Sequence, residues 1–326
     1  MNITVLYNNP TSDAYEEQDT KISAELVCKA LNENPIYKAK LLGIDKNQVS
    51  SFKIVDADFV FNMIEWSGIN YKYGVDAIGR LDELHIPYSG CGKDAYELTN
   101  NKVLMKEKFI EVGISTPKFQ IYSGKKIKNI LQFPVIVKLA HEHCSVALSQ
   151  GNVVTNDNDL KAKVIDLRAK YNMPVLAEEF IGGDEVQVTV LDRDHKVWIL
   201  PPCVVKYKQA PGYWPMLSYE EKSIENHWEV DMAGDDWYDM SGYSMDLQNQ
   251  IMQLSEKSFI EMEGRGYSRI DMRINSDQTQ GYVLEINHNP GLDWDEGNGL
   301  AYAAQQAGFK SFCEFLTFIV NESIKS

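Results

Sequence analysis

Two short runs near the end of the chain carry the residue types that phosphate chemistry uses. In Ser268-Arg269-Ile270-Asp271-Met272, charged and apolar residues alternate, and Leu284-Glu285-Ile286-Asn287 repeats the pattern. Alternate side chains of an extended strand share a face, so Arg269 goes with Asp271 and Glu285 with Asn287. Two carboxylates and a side-chain amide are hard oxygen donors, suited to Mg²⁺ bridging nucleotide phosphates. A guanidinium beside them can stabilise charge on a transferring phosphoryl group. On spacing alone, the solvated face of a hairpin with a structural ion pair remains the simpler reading.

Other candidates are weaker when taken singly. Lys138 ends the apolar run Phe133-Pro-Val-Ile-Val, which delivers a compact point charge at a strand end. Lys102 opens a charged helix. Glu178-Glu179-Phe180-Ile181, followed by Glu185, could cradle a nucleoside through backbone groups for the base and a carboxylate for ribose hydroxyls; an edge strand with exposed acids explains it as well. His141, His143 and Cys144 have no distant partner with zinc-ligand spacing, so an exposed polar loop is the better description. The chain contains no GxxxxGK[ST], GxGxxG or GxSxG, which argues against P-loop, dinucleotide-fold and serine-hydrolase sites.

The elements that must position these residues read as α/β. A strand at Ile3–Tyr7, a helix through Ile22 to Leu31, a strand at Asp58–Asn62, a helix over Val75–Leu84 and a strand at Ile86–Gly90 alternate as in a parallel sheet. Ligands on such sheets sit beyond the C-terminal strand ends, which makes Asn62 and Glu65 substrate candidates. Helices follow over 101–112, 160–171, 248–264 and 311–324, with strands at 133–138, 175–181, 185–191 and 197–205 and a hairpin at 268–274 and 281–286. A tryptophan-bearing polar stretch from Lys206 to Tyr243 is too long for an ordinary connection and suggests a functional or lid segment. Divisions are expected near 98 and 176, giving regions 1–98, 99–176 and 177–326.

Bulk properties narrow the class. Lysines and arginines number 32 against 47 carboxylates, a formal charge of −15, which opposes a nucleic-acid or anionic-membrane partner. No apolar run reaches the ~18 residues that span a bilayer, and Met-Asn-Ile-Thr-Val-Leu reads as a first strand and not a signal peptide. Five scattered cysteines without a CxxC fit a reducing cytoplasm.

Taken in order, the pieces stop being independent. Asn-Lys102, Phe-Pro-Val-Ile-Val-Lys138, Glu-Glu-Phe-Ile-Gly-Gly-Asp-Glu185, Tyr-Glu-Glu-Lys222, Arg-Ile-Asp271 and Glu-Ile-Asn-His-Asn-Pro-Gly291 follow one another along the chain. This resembles the ATP-grasp superfamily, and within it the D-alanine–D-alanine ligase-like group; Phe61-Asn62 and His-Ile-Pro-Tyr-Ser-Gly90 extend the resemblance to the N-terminal region. It implies an N-terminal domain ahead of two ATP-grasp subdomains that clamp ATP. It also implies that Lys102 and Lys138 contact the nucleotide, that Glu178, Phe180 and Ile181 line the adenine site, and that Glu185 binds ribose. Lys222 would reach over the phosphates, with Ser145 in the phosphate-covering loop. Asp271, Glu285 and Asn287 would hold two Mg²⁺ or Mn²⁺ beside Arg269. The implied reaction joins a small-molecule carboxylate to an amine through an acylphosphate. A homodimer is an expectation that analogy alone carries.

Departures from the pattern bear on the substrate. The covering loop reads His141-Glu-His-Cys-Ser145-Val-Ala147, without the glycines that let backbone N–H groups approach phosphate. After Pro290-Gly291 come Leu292-Asp293-Trp294-Asp295-Glu296, three acids around an aromatic, which would repel an acceptor carboxylate. The N-terminal turn lacks the family's glycine-rich pattern, and Glu16 or Glu17 is expected to replace its acid. The resulting expectation is a ligase acting on an amino acid or small peptide that is not strictly D-alanine. A D-alanine–D-alanine ligase proper and a nucleotide-binding protein without turnover stay open as alternatives.

Overall fold

A computed structural model describes residues 1–12, 15–64, 71–124, 126–141, 147–205, 207, 211–216, 239–294 and 298–325, the side chains of residues 15–17 excepted. Lys222, Ser145, Glu65, Asp295 and Glu296, with the side chains of Glu16 and Glu17, lie outside the described residues. So does most of the expected lid segment.

Three parallel strands form the first sheet: β1 (Asn2–Asn8) lies between β2 (Lys38–Ile44) and β3 (Phe59–Asn62). Helix α1 (Tyr15–Leu31) connects β1 to β2 in the βαβ manner, and α2 (Lys72–Leu84) follows β3. The expected strand at 86–90 shrinks to a single parallel bridge between Val60 and Tyr88. Gly90 turns the chain away with φ +88, a conformation that a side chain disfavours.

A short helix, α3 (Lys93–Asn100), precedes α4 (Lys102–Val112). Asn101 separates them: its side-chain oxygen accepts from the N–H groups of Val103 and Leu104, a standard N-cap. The expected division near 98 therefore falls inside α3. The central sheet is antiparallel, in the order β4 (Phe119–Tyr122), β7 (Val175–Glu179), β5 (Val135–Leu139), β6 (Val153–Val154), with α5 (Asp157–Tyr171) packed on it. The expected division near 176 cuts β7, whose partners on both sides belong to this sheet.

The third sheet runs β10 (Cys203–Val205), β8 (Glu185–Arg193), β11 (Tyr267–Ile274), β12 (Gly281–His288), with β9 (Lys196–Ile199) pairing the far end of β8. The single strand expected at 197–205 is split in two by Pro201 and Pro202, which offer no N–H to a ladder. Helix α6 (Met245–Glu261) covers one face, where Leu247, Ile251 and Phe259 meet Val186, Val188, Val190, Ile270, Met272, Val283 and Ile286. The last helices, α7 (Gly299–Gln306) and α8 (Phe312–Lys325), return to the first sheet: Leu300, Phe315, Leu316 and Val320 share one core with Val5, Val27, Leu31 and Phe61. Chain end and chain start thus form one packed body. Among the described residues no helix is long and apolar enough to cross a membrane.

Candidate functional site

The face of the third sheet opposite α6 carries the chemistry. In β11 the core takes Ile270, Met272 and Ile274, so alternation sends Arg269, Asp271 and Arg273 to the other side. In β8 the core takes Val186, Val188 and Val190, leaving Glu185, Gln187 and Thr189. In β12, Val283 and Ile286 both face the core although three residues apart, an odd spacing that strict alternation forbids. A β-bulge resolves the conflict: Asp271 pairs with Glu285 and Met272 with Val283, so Leu284 is the extra residue. Register then sets residues side by side across three strands. Thr189, Arg269 and Asn287 form one rung, Gln187, Asp271 and Glu285 the next, and Glu185 with Arg273 a third. Successive rungs on one face are about 7 Å apart.

The side chains close on one another. Arg269 donates from Nε to Asp271 Oδ1 at 2.8 Å and from Nη2 to Oδ2 at 3.0 Å, a two-pronged pair. Asn287 Nδ2 donates to Asp271 Oδ2 at 3.0 Å and to Glu285 Oε1 at 3.3 Å. Lys102, at the first turn of α4, reaches across to Glu285 Oε2 at 2.7 Å. This chain's residues thus place two carboxylates, an amide, a guanidinium and an ammonium in one place. The donor set fits a hard divalent cation bridging phosphates: with Nδ2 spent on the two carboxylates, Asn287 keeps Oδ1, and each carboxylate presents oxygens on the same side of the sheet. Among the described residues no group of three or more His, Cys, Asp and Glu could hold a metal. Two acids and an amide suit a cation that shares its shell with a ligand's oxygens.

A second cluster lies where the central sheet meets α4. Glu178 is 1% exposed; Lys106 Nζ lies 2.6 Å from its Oε1, and Lys138 pairs with its Oε2. Burial alone would raise the Glu178 carboxyl, but the two ammonium groups overcome it and hold it at about 2. Burial pushes Lys106 down to about 8, against the pull of Glu178. Lys106 also donates to Thr116 Oγ1 at 2.7 Å. Glu178 therefore acts first as the counterion that seats two lysines, which is more than the adenine-lining role expected of it. Phe180 and Ile181 follow in the β7–β8 turn, half-buried, with Phe180 N–H bonded to Pro134 O and its ring edge-on to Trp214 at 5.4 Å. Glu185 opens β8, its Oε2 accepting from Tyr207 Oη at 2.6 Å.

Three of the substrate candidates, Asn62, Asp293 and Trp294, lie among the described residues. Asn62 is fully buried at the end of β3; its N–H donates to Ser89 Oγ and its Oδ1 accepts from Ile64 N–H, while its Nδ2 has no hydrogen-bond partner among the described residues. Trp294 stacks on Phe312 at 5.5 Å and tilts against Phe315, so its partly buried ring packs against the core beneath α8. Asp293 accepts from Ser23 of α1 at 2.6 Å and ties the post-glycine segment to that helix.

Several residues beside this face carry little signal in the sequence. Lys106 stands one helical turn after Lys102, a spacing that shares a face. Arg273 continues the alternation Arg269-x-Asp271-x-Arg273 by one step. Gln187 and Tyr207 carried no sequence signal, because register and tertiary packing place them. Asn289, with φ +54, accepts the N–H of Cys91 at 2.9 Å and lies so close to Gly90 that a Cβ there would meet its Oδ1 at 1.9 Å. It clasps the turn at Gly90 to the end of β12.

Comparison with known proteins decides the family. The profile described as D-ala D-ala ligase C-terminus matches residues 108–313, more than half of the chain. The chain belongs to the D-alanine–D-alanine ligase family. It is an ATP-grasp ligase by that membership, and its fold agrees. An uncharacterised protein of Sinorhizobium fredii, y4sG, is 30% identical over 72% of this ligase-family chain and 66% of its own length. The D-alanine–D-alanine ligase of Bordetella pertussis is 27% identical over 77% and 75%. The crystallised D-alanine–D-alanine ligase of Bacillus anthracis, in complex with ATP, superposes with a TM-score of 0.75 over 100% of this chain and 98% of its own, at 20% identity. That last likeness is one of fold.

One family-motif residue of the ligase has a measurable consequence of its own. His288 is buried; its Nε2 faces Met262 O at 2.8 Å and its Nδ1 faces Ser268 Oγ at 2.6 Å, so a neutral ring donates to the carbonyl and accepts from the hydroxyl. Burial, against the carbonyl's pull, lowers its pKa to about 4. Because the folded value lies below the unfolded ~6.5, protons bind the unfolded chain better, and stability is lost as pH falls from 6.5 towards 4. Urea unfolding is expected to show about 1.4 kcal/mol lost per pH unit from this residue in that window, a slope that His288→Gln should remove.

Proposed function

We propose that this chain is an ATP-dependent carboxylate–amine ligase whose reacting centre is the three-rung face of the third sheet. The observation that carries the reading is the set Arg269, Asp271, Glu285 and Asn287 on adjoining strands with Lys102 directed onto it. Asp271, Glu285 and Asn287 would hold Mg²⁺, which when bound would neutralise phosphate charge. Lys102 and Arg269, now paired to those acids, would exchange their partners for phosphate oxygens. Lys138, seated by Glu178 at the edge of the nucleoside turn, would meet the nucleotide, and Glu185 would receive the ribose. A substrate carboxylate oxygen attacks the γ-phosphorus while the bond to the β-bridging oxygen breaks, which gives an acylphosphate and ADP. An amine nitrogen then attacks the acyl carbon, the C–O bond to phosphate breaks, and the amine proton is lost with departure of phosphate. No side chain need act as nucleophile; positioning and charge stabilisation supply the rate.

The acceptor is the finer question. Asp293, Asp295 and Glu296 follow Pro290-Gly291 in sequence and favour an acceptor without a carboxylate at that end, though Asp293 is already engaged by Ser23. A phosphate-release screen with ATP and Mg²⁺ over amino acids, dipeptides and polyamines tests this. The expected result is a best rate with a cationic or carboxylate-free acceptor; D-alanine alone giving the best rate would overturn it.

A further inference from the structure

Arg273 and Tyr207 have no place in the chemistry above, yet both are buried beside the residue assigned to ribose. Arg273 is 4% exposed. Its Nη1 donates to Pro215 O at 2.7 Å and its Nη2 to Gly183 O at 2.6 Å, so both arms are committed to backbone carbonyls. The guanidinium lies 5.3 Å from the ring centres of both Phe180 and Tyr207. Glu185, its cross-strand partner, approaches no closer than 3.7 Å from Nη1, so this contact is a bias of charge and not a closed fork. The hydrogen bond that fixes the carboxylate comes from Tyr207 Oη to Oε2 at 2.6 Å. Gly183 makes the arrangement possible: a Cβ there would meet Ile274 O at 2.2 Å, so only glycine lets the turn close onto β11.

The Glu185 side chain nevertheless keeps 20% exposure where Arg273 keeps 5%. The phenol takes one lone pair of Oε2 and restrains the carboxylate, whose two oxygens keep further acceptor capacity. Two coplanar acceptors on a fixed carboxylate match two adjacent hydroxyl donors. Phe180, five residues before, supplies a flat surface with Trp214 at its edge, and Gln150 holds Trp214 through both its N–H and its carbonyl.

We infer that Tyr207 and Arg273 are positioning residues that hold Glu185 for the vicinal diol of a ribonucleotide, so that this site selects ribose over a sugar lacking both hydroxyls. The inference rests on the ATP reading above and names what that site prefers.

Calorimetric titration in Mg²⁺ with ATP and with 2′,3′-dideoxyATP tests it on the full chain. Wild type is expected to favour ATP by about tenfold or more, the worth of hydrogen bonds to a charged acceptor. Tyr207→Phe keeps the ring against Arg273 and removes only the hydroxyl. It should cut the preference to about threefold through weaker ATP binding, with dideoxyATP within about twofold of wild type. Arg273→Lys, unable to span both carbonyls, should lower the preference less than Tyr207→Phe. Equal weakening of both nucleotides by Tyr207→Phe would mean a purely structural role and overturn the inference, as would an undiminished preference. Wild type binding both nucleotides equally would overturn it while leaving the ligase reading intact; wild type binding neither would remove the ATP reading itself.

Discussion

Replacing Asp271 with Asn is expected to lower ATP turnover by about a hundredfold or more, close to 3 kcal/mol of barrier. The magnitude follows from how many interactions meet on one carboxylate. Arg269 forks onto both oxygens, and Asn287 donates to one of them. An amide at 271 can accept on one side only, so Arg269 loses half its fork and Asn287 meets an N–H₂ where it met an oxygen. The cation seat loses a charged donor in the same step. A change confined to the reacting centre should appear mainly in kcat, with a smaller change in KM for ATP. Steady-state phosphate release against ATP concentration separates the two, and an unchanged kcat would exclude this face as the reacting centre.

The largest expected effect on stability lies a sheet away. Glu178→Gln leaves the Lys106 and Lys138 ammonium groups facing a neutral amide, Lys106 at 1% exposure. Removing one partner of a buried ion pair typically costs about 3–5 kcal/mol, because the remaining charge is stranded. Urea unfolding at pH 7 should show a loss of that order. Glu178→Gln with Lys106→Met should recover part of it, since one buried ammonium is gone. A pH scan adds a sign. Glu178 has a folded pKa of about 2, below the ordinary carboxylate value, so its contribution is present above ~4.5 and lost as pH falls towards 2. The variant should be flatter than wild type in that window.

These two sites were not equally legible in the sequence. The alternation around Arg269–Asp271 and Glu285–Asn287 anticipated that these side chains adjoin, because a strand's period of two fixes which side chains share a face. It did not fix the register between the strands; the bulge at Leu284 does that, and only the three-residue spacing of Val283 and Ile286 hinted at it. The Glu178 cluster was half legible. Lys138 and Glu178 are legible in the sequence, whereas the burial of Lys106 arises from packing against β7 and β12 that no local pattern encodes. At the substrate end, the sequence pattern of three acids around Trp294 did not reveal that the indole packs against Phe312 and Phe315. Aromatic residues near the chain end serve the core here because α8 folds back onto the first sheet. The strand expected at 86–90 failed for a comparable reason, since Gly90 must yield to Asn289.

The central claim is that the face around Asp271 activates a carboxylate with ATP. Hydroxylamine trapping tests it most directly: the chain is incubated with ATP, Mg²⁺ and a pool of candidate amino acids, and hydroxamate and ADP are measured together. The account predicts hydroxamate in step with ADP in wild type, dependent on both ATP and Mg²⁺, and about a hundredfold less with Asp271→Asn. Hydroxamate formed with AMP and pyrophosphate, or formed equally well by Asp271→Asn, would contradict it.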